Sequence, residues 1–244
     1  MVGELLGALD KAKLSSNTLV IFTSDNGGML NQGGQDAWKL GHRLNGDLQG
    51  FKFGAWEGGH RVPLIARWPG KIPAASECTH LISQVDFLAT FATLTKVPLA
   101  ESERFDSIDQ AACFLSDPTE PLRKDLLLIP NSPRHLGIRE GDWVYLPLQD
   151  SGGFQGKQPG GSQFAGYAAF PFAGKSHSDL KDGKLLADAP KDQLYNLASD
   201  PGQEKNIVRE HPEKQAALSK RLEDYRKLIP ETKKIGWIQI ETLD

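Results

Sequence analysis

The chain has 244 residues, with 28 basic and 31 acidic side chains, a net charge of −3 and two cysteines. That length allows one large domain or two smaller ones, and so small a charge gives no electrostatic case for nucleic acid or an anionic membrane as a partner. Cys78 and Cys113 form at most one bridge, which excludes a disulfide framework or a cysteine metal cluster, and no run approaches the ~18 apolar residues of a membrane-spanning helix.

Val2, Leu5, Leu6 and Leu9 recur at helical spacing over residues 2–12, and Ser15, Ser16 and Asn17 then break the pattern. The start of the chain carries Glu4 and Asp10 where a signal peptide would be basic and then apolar, so it shows no address. The apolar run Thr18 to Phe22 predicts a buried strand, ending in the turn-forming TSDNGG at residues 23–28. Small residues there let the backbone bend and expose side chains at the strand's C-terminal end, the edge at which open α/β sheets bind ligands.

Residues 29–54 lack periodicity and read as a long ordered loop. VPLIARW, closed by Pro-Gly, predicts a second strand, and SQVDFLATFATLT at residues 83–95 predicts an amphipathic helix with Asp86 complementing its dipole. Beyond residue 120, DLLLIP, HLGIRE, DWVYLPL and DQLYNL predict short antiparallel strands, interrupted by a glycine-rich segment at residues 151–175. Leu218, Leu222, Tyr225 and Leu228 mark a closing helix over residues 212–228.

Asp25 and Asn26 offer a carboxylate and an amide oxygen, hard ligands suited to Ca²⁺ or Mg²⁺, yet two are too few for the six to eight oxygens of a calcium shell. Lys52, flanked by glycines in GFKFGAWEGG, places an ammonium where backbone and ligand can approach closely, which suits a sulfate or phosphate oxygen. His42 and His60 are the histidines of this region and are candidates for hydrogen-bonding an oxyanion or moving a proton. Glu57 and Arg61, four residues apart, read as a structural ion pair. No Gly-x-Ser-x-Gly elbow, Walker loop or His-Glu-x-x-His helix is present.

Taken in order, NTLVIFTSDNGG, NGDLQGFKFGAWEGGHRVPLIARWPGKI, VDFLATFATLT, IREGDWVYL and DQLYNLASDPGQEKNI resemble the second half of the arylsulfatase family, within the alkaline-phosphatase-like superfamily, over nearly the whole chain. The resemblance implies an α/β fold: part of an alkaline-phosphatase-like mixed or parallel sheet core over residues 1–118, then a small C-terminal antiparallel sheet packed with a helix over residues 119–244. It also implies sulfuric ester hydrolysis, with Asp25 and Asn26 as ligands of Ca²⁺, or of Mg²⁺ in its place, and Lys52 as the sulfate contact. His42 is carried over as a further catalytic candidate and His60 as a further substrate contact.

Where the family usually has arginine before glycine, this chain has Gln49 before Gly50. The Cys-x-Pro/Ala-x-Arg motif that yields the formylglycine nucleophile is absent, and neither Cys78 nor Cys113 has that context. The expectation is therefore a C-terminal portion of a longer enzyme, inactive alone, whose partners are a sulfate ester such as a sulfated carbohydrate and either the N-terminal half of the same enzyme or a second copy. A full-length relative is expected to be periplasmic or secreted. Rival expectations are a phosphate or phosphonate hydrolase of the same superfamily and a noncatalytic module that binds sulfated glycans.

Overall fold

The computed structural model describes residues 1–31, 33–116, 118–153 and 166–228. Helix α1 (Val2–Lys11) forms where the spacing predicts it, with Glu4 in its first turn and Lys11 in its last to complement the helix dipole. None of its residues is buried. Strand β1 (Val20–Thr23) follows, two residues later than the apolar run suggests. Residues 29–54 are more than a loop, because Gly34–Lys39 form a short helix, α2, and a single helical turn, α3 (Glu57–His60), precedes strand β2 (Leu64–Arg67).

The expected α/β character is present, and the pair that forms in this first section is antiparallel: β1 pairs with β2, with Phe22 opposite Ile65. These two side chains are 47% and 61% exposed, so the ribbon shows an apolar face to solvent. Helices α4 (Phe87–Thr95), α5 (Glu101–Arg104) and α6 (Ala111–Leu115) complete the section. Asp86 does more than complement a helix dipole: it is buried, receives the backbone N–H groups of Ser83 (3.0 Å) and Ile108 (2.9 Å), and is gripped by the Arg123 guanidinium, whose Nε donates at 2.9 Å. One carboxylate thus ties the entry of α4 to two later segments.

Strands β3 (Asp125–Leu128), β4 (Gly137–Glu140) and β5 (Trp143–Leu146) form the predicted meander. Helix α7 (Phe170–Ala173) and a small hairpin, β6 (Leu180–Lys181) with β7 (Lys184–Leu185), lead to β8 (Gln193–Asn196), and the sheet order is β3-β4-β5-β8, antiparallel throughout. Of the predicted glycine-rich loop, residues 154–165 lie outside the described residues. The closing helix α8 (Pro212–Leu228) buries Leu218 and Leu222 against Ile138, Tyr145 and Leu194 on one face of the sheet. The opposite face carries Val144, Leu146 and Tyr195, and these pack with Tyr167, Phe170 and, from the first section, Trp56. Period-2 alternation along β5 sends Tyr145 to α8 and its neighbours to Trp56.

Under that second face runs a relay of neutral hydrogen bonds. Asp179 N–H donates to Nδ1 of the buried His177 (3.1 Å), which leaves Nε2–H to donate to the Tyr195 hydroxyl (2.7 Å). Tyr195 and the Trp56 indole (3.1 Å) both donate to Gln193 Oε1. Burial holds His177 down to about 4, although the Asp179 and Asp200 charges pull the other way. The folded chain therefore binds fewer protons than the unfolded chain between pH 6.5 and 4, and the stability that neutral His177 confers is complete above that window and lost as pH falls through it. A loss of ~2 kcal/mol between pH 6.5 and 5 is expected from this group alone. Urea midpoints across that range measure it; a flat profile, or one that His177→Gln leaves unchanged, contradicts the assignment.

Candidate functional site

The site is built from two glycine-rich segments pressed backbone to backbone. Gly27 N–H donates to the Gly59 carbonyl (3.0 Å), Lys52 N–H to the Gly28 carbonyl (2.9 Å) and Gly58 N–H to the Gln49 carbonyl (2.8 Å). A Cβ on Gly27 would lie 1.8 Å from the Gly58 oxygen, and one on Gly59 would lie 2.2 Å from the Gly54 oxygen. Only glycine permits this approach. Its result is that the turn after β1 and the loop carrying Lys52 open onto one cleft of about 350 Å³, lined by Asp25, Asn26, Lys52, His60, Ile129 and Asn131 among others.

Asp25 is exposed, and its carboxylate makes no hydrogen bond or ion pair among the described residues. Asn26 donates its Nδ2 to the Gly27 carbonyl (3.1 Å), which turns the amide so that Oδ1 remains available as an acceptor. The Lys52 ammonium rests 5.3 Å from the Phe53 ring centre and forms no ion pair among the described residues. Two adjacent hard oxygens fit a divalent cation as part of its shell, and no group of three or more His, Cys, Asp or Glu side chains gathers elsewhere among the described residues to complete one.

His60 lines the same cleft with one nitrogen committed. Its Nε2–H donates to the Ala55 carbonyl (3.1 Å), and burial lowers its pKa despite the Glu57 carboxylate 3.9 Å away, so the ring is neutral with Nδ1 as its remaining acceptor. His42 sits elsewhere, exposed on the turn after α2 and outside the lining of the cleft. Neither cysteine approaches Lys52; Cys78 and Cys113 line a separate cavity against β2.

Sequence reasoning identifies the Glu57–Arg61 pair, which forms at 3.4 Å, and misses what surrounds it. Glu57 is fully buried, takes a second guanidinium from Arg139 on β4 (3.0 Å), and has its backbone N–H received by the side-chain oxygen of Gln203 (2.7 Å). Gln49, which stands in place of the family's arginine, is also fully buried and donates to the Gln203 carbonyl (3.0 Å) rather than lining the cleft. Glu57 Oε1, Gln49 Oε1 and Gln203 Nε2 have no hydrogen-bond partner among the described residues. Arg139 on β4 and Gln203 beyond β8 thus hold the turn on which Gly27 rests.

Comparison with known proteins decides the family. The sulfatase family model matches residues 1–97. Over 228 residues the chain is 31% identical to an N-acetylgalactosamine-6-O-sulfatase of Bacteroides thetaiotaomicron, covering 92% of this chain and 39% of that protein. Residues 1–97 belong to the sulfatase family, and the chain resembles sulfatases over most of its length. Human arylsulfatase A is 30% identical over 222 residues, covering 85% of this chain and 36% of its own length.

Among solved structures, one from work on the metabolism of multiple glycosaminoglycans by B. thetaiotaomicron superposes with a TM-score of 0.72 at 28% identity, over 93% of this chain and 42% of that one. The PsFucS1 sulfatase from Pseudoalteromonas sp. gives 0.65 at 25%, over 92% and 40%. The chain therefore spans about two fifths of the length of the relatives that it matches along most of its own.

Proposed function

We propose that this chain supplies the metal-holding and sulfate-gripping part of a sulfuric ester hydrolase. The observation that carries the reading is the convergence of Asp25, Asn26 and Lys52 on one cleft. Asp25 and Asn26 Oδ1 would hold Ca²⁺, with Mg²⁺ as the alternative, and such an ion, when bound, offsets charge on a sulfate oxygen. Lys52 would donate a charge-assisted hydrogen bond to the same sulfate, and the neutral His60 would offer Nδ1 to the substrate side. His42 would take part only if a bound substrate reached across to α2. The names of the relatives support a sulfated carbohydrate as the ester.

Among the described residues the lining of the cleft includes no cysteine or serine, so these groups bind and orient without a nucleophile of the kind that covalent sulfatase chemistry needs. The purified 244-residue chain is expected to show no aryl sulfate hydrolysis above background. Turnover that Lys52→Ala abolishes would overturn that expectation.

The reading itself is tested by titrating inorganic sulfate into the chain with calcium present. Lys52→Ala is expected to weaken sulfate ~10–100-fold, the worth of a hydrogen bond to a charged group. Calcium alone should bind weakly, since two protein ligands make a poor cage. Sulfate affinity that is indifferent to Lys52, or phosphate preferred over sulfate, would move the assignment to another hydrolase of the superfamily.

A further inference from the structure

The cleft contains more than an anion requires. Ile129 is 78% exposed although Leu128 and Pro130 on either side of it are buried, and it lines the cleft together with Lys52, Asp25 and Asn26. Asn131, two residues on, is exposed in the same lining, and its side-chain amide makes no hydrogen bond among the described residues. Sulfate is satisfied by charge and donors; an alkyl group beside it is a feature that the anion does not explain.

The segment carrying these two side chains is fixed to the site. Asn131 N–H donates to the Phe53 carbonyl (2.9 Å), next to Lys52, and Ser132 N–H donates to the Gly152 carbonyl (2.7 Å). The His135 ring, kept neutral by burial, spans from the Ser132 hydroxyl (3.1 Å) to the Gln149 carbonyl (2.9 Å). Gly152, at φ +69°, lies so close that a Cβ there would fall 2.3 Å from His135 Cβ. Ile129 and Asn131 therefore keep a set position relative to the Lys52 ammonium.

We infer that Ile129 and Asn131 form the wall that selects the alcohol half of the ester, and that this alcohol is a sugar. A pyranose ring has a C–H face that packs on an alkyl side chain and hydroxyl or acetamido groups that pair with a primary amide, which both donates and accepts. The inference rests on the reading that Lys52 holds the sulfate, because that contact brings the sugar ring within reach of the wall.

Calorimetric titration of the 244-residue chain, with calcium present, separates the two claims by using N-acetylgalactosamine 6-sulfate and inorganic sulfate as probes. The sugar sulfate is expected to bind more tightly than sulfate, and Asn131→Ala and Ile129→Ser each to weaken the sugar sulfate by about 5- to 10-fold, the loss of one net hydrogen bond or its apolar equivalent. Both variants should leave inorganic sulfate unchanged. Equal affinity of the wild type for both probes, or a preference that survives both substitutions, overturns the inference while Lys52 keeps its role. Failure of either probe to respond to Lys52→Ala, or no binding of either probe, overturns the Lys52 reading and the inference with it.

Discussion

Replacing Glu57 with alanine is expected to destabilise the chain by ~3–5 kcal/mol, the cost of leaving a buried charge without its partner. Arg139 loses its carboxylate while its guanidinium stays largely enclosed, and Arg61, which is more exposed, loses less. Glu57→Gln keeps the shape and one acceptor for Arg139 and should cost less than half as much. The second consequence is local. The turn formed by α3 carries the Gly59 carbonyl that receives Gly27 N–H, so loosening it frees the turn that presents Asp25 and Asn26. Urea unfolding measures the first effect and amide exchange at Gly27 the second. Exchange as slow in Glu57→Ala as in the wild type would show that the glycine contacts alone hold the cleft.

Trp56→Ala should cost a comparable ~3–5 kcal/mol, the range for truncating a large buried aromatic side chain. Trp56 has no exposed surface and sits 5.2 Å from Tyr167, 5.4 Å from Phe170 and 6.4 Å from His177, ring centre to ring centre. Its indole N–H also satisfies Gln193 Oε1, so Trp56→Phe, which keeps most of the packing, should still lose ~1–2 kcal/mol for that hydrogen bond. Because the ring comes from the first section and its cavity from the second, the substitution should lower the unfolding midpoint measured by any probe in either section. Separate transitions for the two sections in the wild type would refute this shared core.

The elements that were legible in the sequence are those whose pattern is local. Leu218 and Leu222 lie at helical spacing and are the residues that α8 buries; the apolar run in DWVYLPL marks β5, which is packed on both faces. The Glu57–Arg61 pair was visible because four residues bring two side chains together on any helical turn. Helix α2 was missed because six residues, GQDAWK, are too few for a period to emerge and open with glycine. Gln49 stood out only as a departure from the family's arginine and Gln203 not at all, since nothing in QGFKF or DPGQE says that Gln49 reaches the Gln203 carbonyl or that both amides are fully buried. Asn131 was equally silent. Its place beside Lys52 depends on a hydrogen bond between residues 53 and 131, a pairing made only by the fold.

The bond from Glu57 N–H to Gln203 joins residues 146 apart in the chain, and that from Arg139 to Glu57 joins residues 82 apart. Loop closure over such separations must be met before the contact repays it, so contacts of this kind form late. On the ribosome, the DNGG turn and the lysine loop emerge well before the support beneath them, which is incomplete until DPGQE has left the exit tunnel. The brace beneath the cleft therefore forms only after Gln203 has been made, and a nascent chain stopped before that residue holds Asp25, Asn26 and Lys52 without it.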